Sequence, residues 1–247
     1  QEPAASGGLG AALGSAKSGA PLYDFTSDFG GGTDLHGVRS KVWRVTETSS
    51  HGAEIRRVLG GQSLYIADGH HRYHAALLGG QTHLLAYVTD EANILAYDRV
   101  IKGVVPFKDV QSKLDLEPLD AFATPAKHSF ALYADGRAWT LRAQRVPEDV
   151  VGRLDCAILE RELYPLLGLT HAHVKMPAHF DYYPENALED MIAAVDGGRY
   201  EVAVALHPVA IDELKAVADA GLENPDIVMP EKSTFFSPKI LTGLFLY

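Results

Sequence analysis

The sequence predicts a mixed α/β protein of the α+β class, with one unit over residues 21–105 and a second α+β region over residues 106–247. Three observations lead there. Helix-like and strand-like stretches alternate closely between residues 51 and 100, a hairpin signature and several amphipathic runs follow Pro106, and neither an internal repeat nor a heptad pattern interrupts them. At about 150 residues per domain, 247 residues make one large or two small domains.

Residues 1–20 (QEPAASGGLGAALGSAKSGA) are rich in Gly, Ala and Ser and read as a flexible tail or linker, with a short helix available to residues 11–17. Regular structure is expected from Pro21 onward. Leu22-Tyr23-Asp24-Phe25 reads as a strand, Gly30-Gly31-Gly32 as a loop, and residues 38–45 as an alternating second strand. Ile55, Val58 and Leu59 share a helical face over residues 51–59, with Ser50 as the N-cap and Gly60-Gly61 as the stop. Ser63-Leu64-Tyr65-Ile66-Ala67 reads as a short apolar strand, Asp68-Gly69 as a turn, and residues 70–78 as a helix stopped by Gly79-Gly80. Residues 83–88 and 94–100 read as further strands.

Beyond Pro106 a helix is expected over residues 107–114, then a hairpin of 128–133 with 137–141 through Ala134-Asp135-Gly136. Amphipathic helices are expected over 154–167, 184–195 and 211–220, with Pro184 suited to a first turn. Residues 200–206 read as a buried strand and residues 240–247 as a C-terminal one.

Acidic residues outnumber basic ones, 32 to 22, for a net charge of −10. Such a body is repelled by phosphate backbones and anionic membranes, so neither nucleic acid nor a membrane is an expected partner, although a small phosphate pocket is compatible with it. Cys156 is the single cysteine, which excludes an intrachain disulfide framework and a multi-cysteine metal site and fits a reducing, cytoplasmic compartment. No run approaches the roughly 18 apolar residues of a membrane helix. No basic segment with an apolar core opens the chain, and it starts at Gln1 rather than Met, so a processed or partial chain is expected.

The segment richest in chemistry is Leu64-Tyr65-Ile66-Ala67-Asp68-Gly69-His70-His71-Arg72-Tyr73-His74. The first turn of a helix presents unpaired N–H groups and the positive end of the helix dipole, and so attracts anions. Gly69 permits a sharp turn and close backbone approach, and Arg72 offers a two-pronged grip on phosphate. His70 can donate to a phosphate oxygen or move a proton near neutral pH, and Asp68 can orient a hydroxyl, act as a base or bind Mg²⁺ beside a nucleotide. The competing interpretation is an ordinary capped turn with Tyr73, Ala75 and Ala76 packing the helix. His70 and His74, four apart, also suit a zinc pair, but the Glu of the metalloprotease pattern is missing.

Ile66-Ala67-Asp68-Gly69-His70-His71-Arg72-Tyr73 resembles the hallmark of a bacterial and archaeal family catalogued as domain of unknown function 1015. Met229-Pro230-Glu231-Lys232-Ser233-Thr234-Phe235-Phe236-Ser237-Pro238-Lys239, followed by Leu241-Thr242-Gly243-Leu244, resembles that family's C-terminal signature. Tyr97-Asp98-Arg99-Val100-Ile101 and Leu154-Asp155-Cys156-Ala157-Ile158-Leu159 match in kind and order, so the likeness runs from about Pro21 to Tyr247. Family members carry a longer N-terminal region with a His-Glu motif ahead of the stretch seen here.

The first motif also resembles the strand–turn–helix of the ParB and sulfiredoxin superfamily, which includes a free-serine kinase. That likeness implies a nucleotide-phosphate cradle at Asp68, Gly69, His70, His71 and Arg72, with ATP or ADP and Mg²⁺ as cofactors and transfer to a small hydroxyl such as free serine as the chemistry. Asp68, His70 and His71 are then the catalytic candidates. Sulfiredoxin carries its cysteine within the turn, where this chain has His70, and ParB's helix-turn-helix has no counterpart here. Lys232, Ser233, Thr234 and Lys239 place two cations and two hydroxyls in a polar C-terminal segment, and Arg99 follows an apolar run; with Gly69 and Arg72 they complete the cofactor-binding set. The alternatives are a nucleotide- or metabolite-sensing module without chemistry and a zinc-dependent hydrolase.

Overall fold

The computed structural model describes residues 7–27, 37–89 and 93–237, without the side chains of residues 7, 8, 70 and 71. The chain divides into two compact units, one of Gln1–Asn93 with Ser237–Tyr247 and one of Ile94–Phe236. Helices and antiparallel sheets make it an α+β protein. Among the described residues no helix is long and apolar enough to cross a membrane. The Gly30–Gly32 loop, Lys239 and the strand expected at 240–247 lie outside the described residues.

In the first unit, α1 (Gly7–Ala16) occupies the Gly/Ala-rich segment and packs against a later helix, with Ala12 and Ala16 buried. The small side chains that suggested a linker also allow close helix packing. β1 (Tyr23–Thr26) and β2 (Arg39–Val42) form an antiparallel pair. Arg39 grips Asp24 with two 2.8 Å hydrogen bonds across it and holds that carboxyl below its usual range. α2 (Ser50–Leu59) starts one residue earlier than expected, because the Ser49 hydroxyl, not Ser50, accepts the Gly52 N–H at 3.0 Å. α3 (His70–Leu78) has the bounds expected of it.

Two expected strands are absent. Residues 63–67 and 83–88 have no strand pairing, and Leu64, Leu85 and Tyr87 are 61%, 55% and 71% exposed. Apolar, β-prone residues become a strand only where a neighbour supplies the ladder. No described strand of this unit pairs with either run.

The second unit is built on a six-stranded antiparallel sheet. Its first elements are β3 (Asn93–Leu95), β4 (Tyr97–Ile101), the single-turn α4 (Phe107–Val110), β5 (Leu116–Leu119), β6 (Ser129–Ala134) and β7 (Arg137–Arg142). They are followed by α5 (Asp155–Glu162), β8 (Phe180–Pro184), α6 (Leu188–Asp196), β9 (Val202–Ala205), α7 (Ile211–Glu223) and β10 (Phe235–Ser237). The strand order is β5-β7-β6-β9-β4-β8, and β3 pairs separately with β10. The sequence-based boundary at Pro106 falls inside this unit, between β4 and α4.

Strand alternation sends successive side chains to opposite faces of the sheet. On one face Ile101, Phe130, Leu132, Val202 and Val204 meet Ile158 and Leu159 of α5, Val217 of α7 and the nearby Leu163, Tyr164 and Leu167. On the other, Val100 and Ala203 meet Met191, Ala194 and Val195 of α6. All four residues of β9 are buried, as a central strand covered on both faces requires.

The β6–β7 hairpin turns through Asp135 and Gly136, both at positive φ (49° and 70°), which suits the twist of its strands. Two edge strands were not expected. β5 contains Pro118 and β8 ends in Pro184, and proline is tolerated at an edge because an outward N–H needs no ladder partner. Pro184 therefore closes a strand, a short 3₁₀ turn follows, and α6 begins at Leu188. The helix expected over 154–167 ends at Glu162, ahead of Pro165, which brings no N–H to a helical ladder.

Candidate functional site

In the first unit, Gly69 is the N-cap of α3 with φ 84°, a left-handed conformation that favours glycine. Being glycine, the N-cap offers no side-chain acceptor to the first turn. The Arg72 guanidinium folds back over Gly69, where a Cβ would lie 2.9 Å from Nη2. Asp68 stands 4.0 Å from the same nitrogen, and both side chains are largely exposed. The turn thus combines a glycine-capped helix start, a solvent-facing guanidinium and a carboxylate. His70 and His71 open the helix, and their side chains lie outside those described. Among the described residues, no group of three His, Cys, Asp or Glu side chains is arranged to hold a metal ion.

In the second unit, Arg99 and Lys232 come together. Arg99 sits in the middle of β4, opposite Tyr182 of β8 and Val204 of β9, and is only 3% exposed. Its Nη1 donates to the Tyr164 hydroxyl at 2.9 Å, and its Nη2 donates to the Tyr97 carbonyl at 2.7 Å and the Lys232 carbonyl at 3.2 Å. Its Nε is buried without a partner among the described residues. The guanidinium carbon lies 5.5 Å from the Tyr182 ring centroid.

Lys232 adopts φ 57°, unusual for a residue with a side chain. This conformation accompanies a carbonyl turned toward Arg99 and an ammonium 5.4 Å from the centroids of both Tyr97 and Tyr182. Two cations therefore lie within cation–π range of Tyr182. Ser233 beside them is buried and Thr234 is partly buried.

The groups around Arg99 are neutral near pH 7. Burial pushes the Tyr164 and Tyr182 hydroxyls above their usual range, against the pull of the Arg99 charge. Burial likewise pushes the Cys156 thiol up to about 11. Asp98 precedes Arg99 on β4, so its side chain leaves the opposite face of the strand. Its Oδ1 accepts the Leu206 N–H at 2.9 Å, and its Oδ2 is buried without a partner among the described residues. Burial raises its carboxyl to about 7, against the Leu206 hydrogen bond and the Arg99 charge, with Glu185 adding to the rise.

The residues expected at the site thus fall into separate groups. Asp68, Gly69 and Arg72 share the turn, whereas Arg99, Lys232, Ser233 and Thr234 lie in the second unit. The residues that sequence reasoning missed are Tyr164 and Tyr182. Tyr182 belongs to the unexpected β8, though the aromatic run Phe180-Asp181-Tyr182-Tyr183 is a strand signal. Tyr164 was absorbed into an amphipathic helix pattern that gives its hydroxyl no role.

A family description reading "Protein of unknown function (DUF1015)" matches residues 7–157. No curated protein matches the chain. Among solved structures, a conserved hypothetical protein from Pyrococcus furiosus is 17% identical, with 69% of this chain and 68% of that one covered, at a TM-score of 0.42. A free serine kinase in complex with AMP is 18% identical over 71% of this chain and 68% of that one, at a TM-score of 0.42. A variant of a free serine kinase in complex with ADP is 16% identical over 71% and 69%, at a TM-score of 0.41.

Proposed function

The chain belongs to the DUF1015 family of proteins of unknown function, and from that premise we propose that it binds a nucleotide, ATP or ADP, through the turn from Asp68 to Arg72. One observation carries this reading: the exposed Arg72 guanidinium lies over Gly69, the glycine N-cap at the start of a helix. Backbone N–H groups, the positive helix end and a guanidinium converge there on one small volume, as phosphate oxygens require.

Phosphoryl transfer to a small hydroxyl compound, free serine being one example, is the chemistry we assign. Such transfer is mostly positioning and neutralisation of charge. Arg72 and the turn amides hold the phosphates. Asp68 is the carboxylate within the turn, suited to orienting the acceptor hydroxyl or a Mg²⁺ ion that arrives with the nucleotide. His70 or His71, on the first turn of α3, moves the proton.

Calorimetric titration of ATP and ADP into the intact chain and into Arg72→Ala tests the cradle. Loss of a charge-assisted phosphate contact is expected to weaken binding about tenfold or more; equal affinity would discard it. Asp68→Asn is expected to keep binding but lose turnover with a panel of small hydroxyl compounds. If the unsubstituted chain binds nucleotide but yields no phosphorylated product, it is a sensing module instead.

A further inference from the structure

The second unit holds a feature that the turn does not explain. Arg99 is buried and permanently charged, and its Nε–H has no acceptor among the described residues. Burying a charge is costly unless it is paired. Among the described residues, no carboxylate lies within ion-pair distance of Arg99 or of Lys232: Asp98 leaves the other face of β4, and Glu231 pairs with Lys175 at 2.7 Å. Three hydrogen bonds go from Arg99 to neutral oxygens of Tyr97, Tyr164 and Lys232, which orient the guanidinium without neutralising it.

A second cation stands beside it, since the Lys232 ammonium and the Arg99 guanidinium both lie against the Tyr182 ring. Two positive charges are thus gathered around one tyrosine ring, and the ring quadrupole compensates each of them only in part. The Lys232 backbone is itself held in an unfavourable conformation. Tyr97, Tyr182, Lys232 and Thr234 are each partly exposed, so the cluster is open to solvent beside the lysine.

We propose that Arg99 and Lys232 form a binding site for one oxyanion group, a phosphate or a carboxylate, of a small ligand whose apolar part rests on Tyr97 and Tyr182. The anion accepts from the Arg99 Nε–H and pairs with the Lys232 ammonium, and so supplies the acceptor and the negative charge that the described residues do not. Every member of the site belongs to the second unit, so the proposal stands apart from the Asp68–Arg72 turn.

Inorganic phosphate and acetate, titrated separately into the intact chain without nucleotide and followed by NMR shifts and melting temperature, test it. Saturable binding of at least one of the two is expected at the Tyr97 and Tyr182 ring resonances, which report the second unit and not any phosphate held by the Asp68–Arg72 turn. Saturation by phosphate alone identifies a phosphorylated ligand, and saturation by acetate alone a carboxylate. Lys232→Gln, at a half-buried position, is expected to weaken that binding about tenfold, Lys232→Arg to retain it, and Arg72→Ala to leave it unchanged. Failure of both anions to bind the unsubstituted chain overturns the proposal. So does equal affinity in Lys232→Gln, or loss of binding in Arg72→Ala alone.

Discussion

The Arg99 guanidinium donates a 2.9 Å hydrogen bond to the Tyr164 hydroxyl, joining the middle of β4 to the segment just after α5. Both residues are almost fully buried, at 3% and 1% exposed, so water is a poor substitute for either partner. Tyr164→Phe leaves a donor of the guanidinium unmatched at nearly constant volume. It is expected to destabilise the fold by about 1–3 kcal/mol, read as a lower urea midpoint with an unchanged m-value. An unmoved midpoint would mean that the bond contributes nothing.

Asp98 sets a dependence on pH. Its carboxyl is raised to about 7 in the folded protein, against 3.8 for the free group. The folded state therefore binds its proton more tightly than the unfolded state, and the contribution to stability is greatest below the unfolded value. It is lost progressively as pH rises through the interval up to the folded value. Asp98→Asn keeps an acceptor for the Leu206 N–H and removes the titration. The variant is expected to lose less stability than the parent between pH 4 and pH 7, by on the order of 2 kcal/mol. Parallel stability–pH curves for the two proteins would refute the assignment.

Gly103 occupies a place that no side chain fits. A Cβ there would collide with the Val105 carbonyl and lie 3.2 Å from both the Leu167 Cβ and its carbonyl. The Val104 and Val105 amides both donate to that Leu167 carbonyl, at 2.9 and 3.0 Å, so this backbone has little room to yield. Gly103→Ala is expected to cost about 2 kcal/mol or more in chemical denaturation. A variant as stable as the parent would show that the loop relaxes freely.

Cys156 reports on unfolding. It is 6% exposed, and burial pushes its thiol up to about 11, against the lowering influence of Arg99. The thiolate is the reactive form, so a thiol reagent at neutral pH is expected to label the folded protein far more slowly than the denatured chain. Equal rates in native buffer and in denaturant would contradict the buried placement.

Much of this architecture is legible along the chain. The bounds of α3 follow from the periodic run between Gly69 and Gly79, and the β6–β7 turn follows from Asp135-Gly136, because local backbone preferences settle such features. Residues 63–67 and 83–88 mislead for the opposite reason. Their apolar content signals a strand, yet a strand exists only through hydrogen bonds to a neighbour that no local pattern names. The prolines of β5 and β8 hide real strands, because their tolerance depends on edge positions that only the assembled sheet defines.

The sequence by itself determined the α+β class, the glycine-started helix α3, and the polar residues able to meet an anion: Asp68, Arg72, Arg99 and Lys232. Only the tertiary structure decided that Arg99 is buried with an unpaired Nε and that Lys232, 133 positions away, stands over the same tyrosine. Residue type and spacing fix what a group can donate or accept. Whether it remains in water, and which distant group becomes its neighbour, depends on how the strands pair and what covers them.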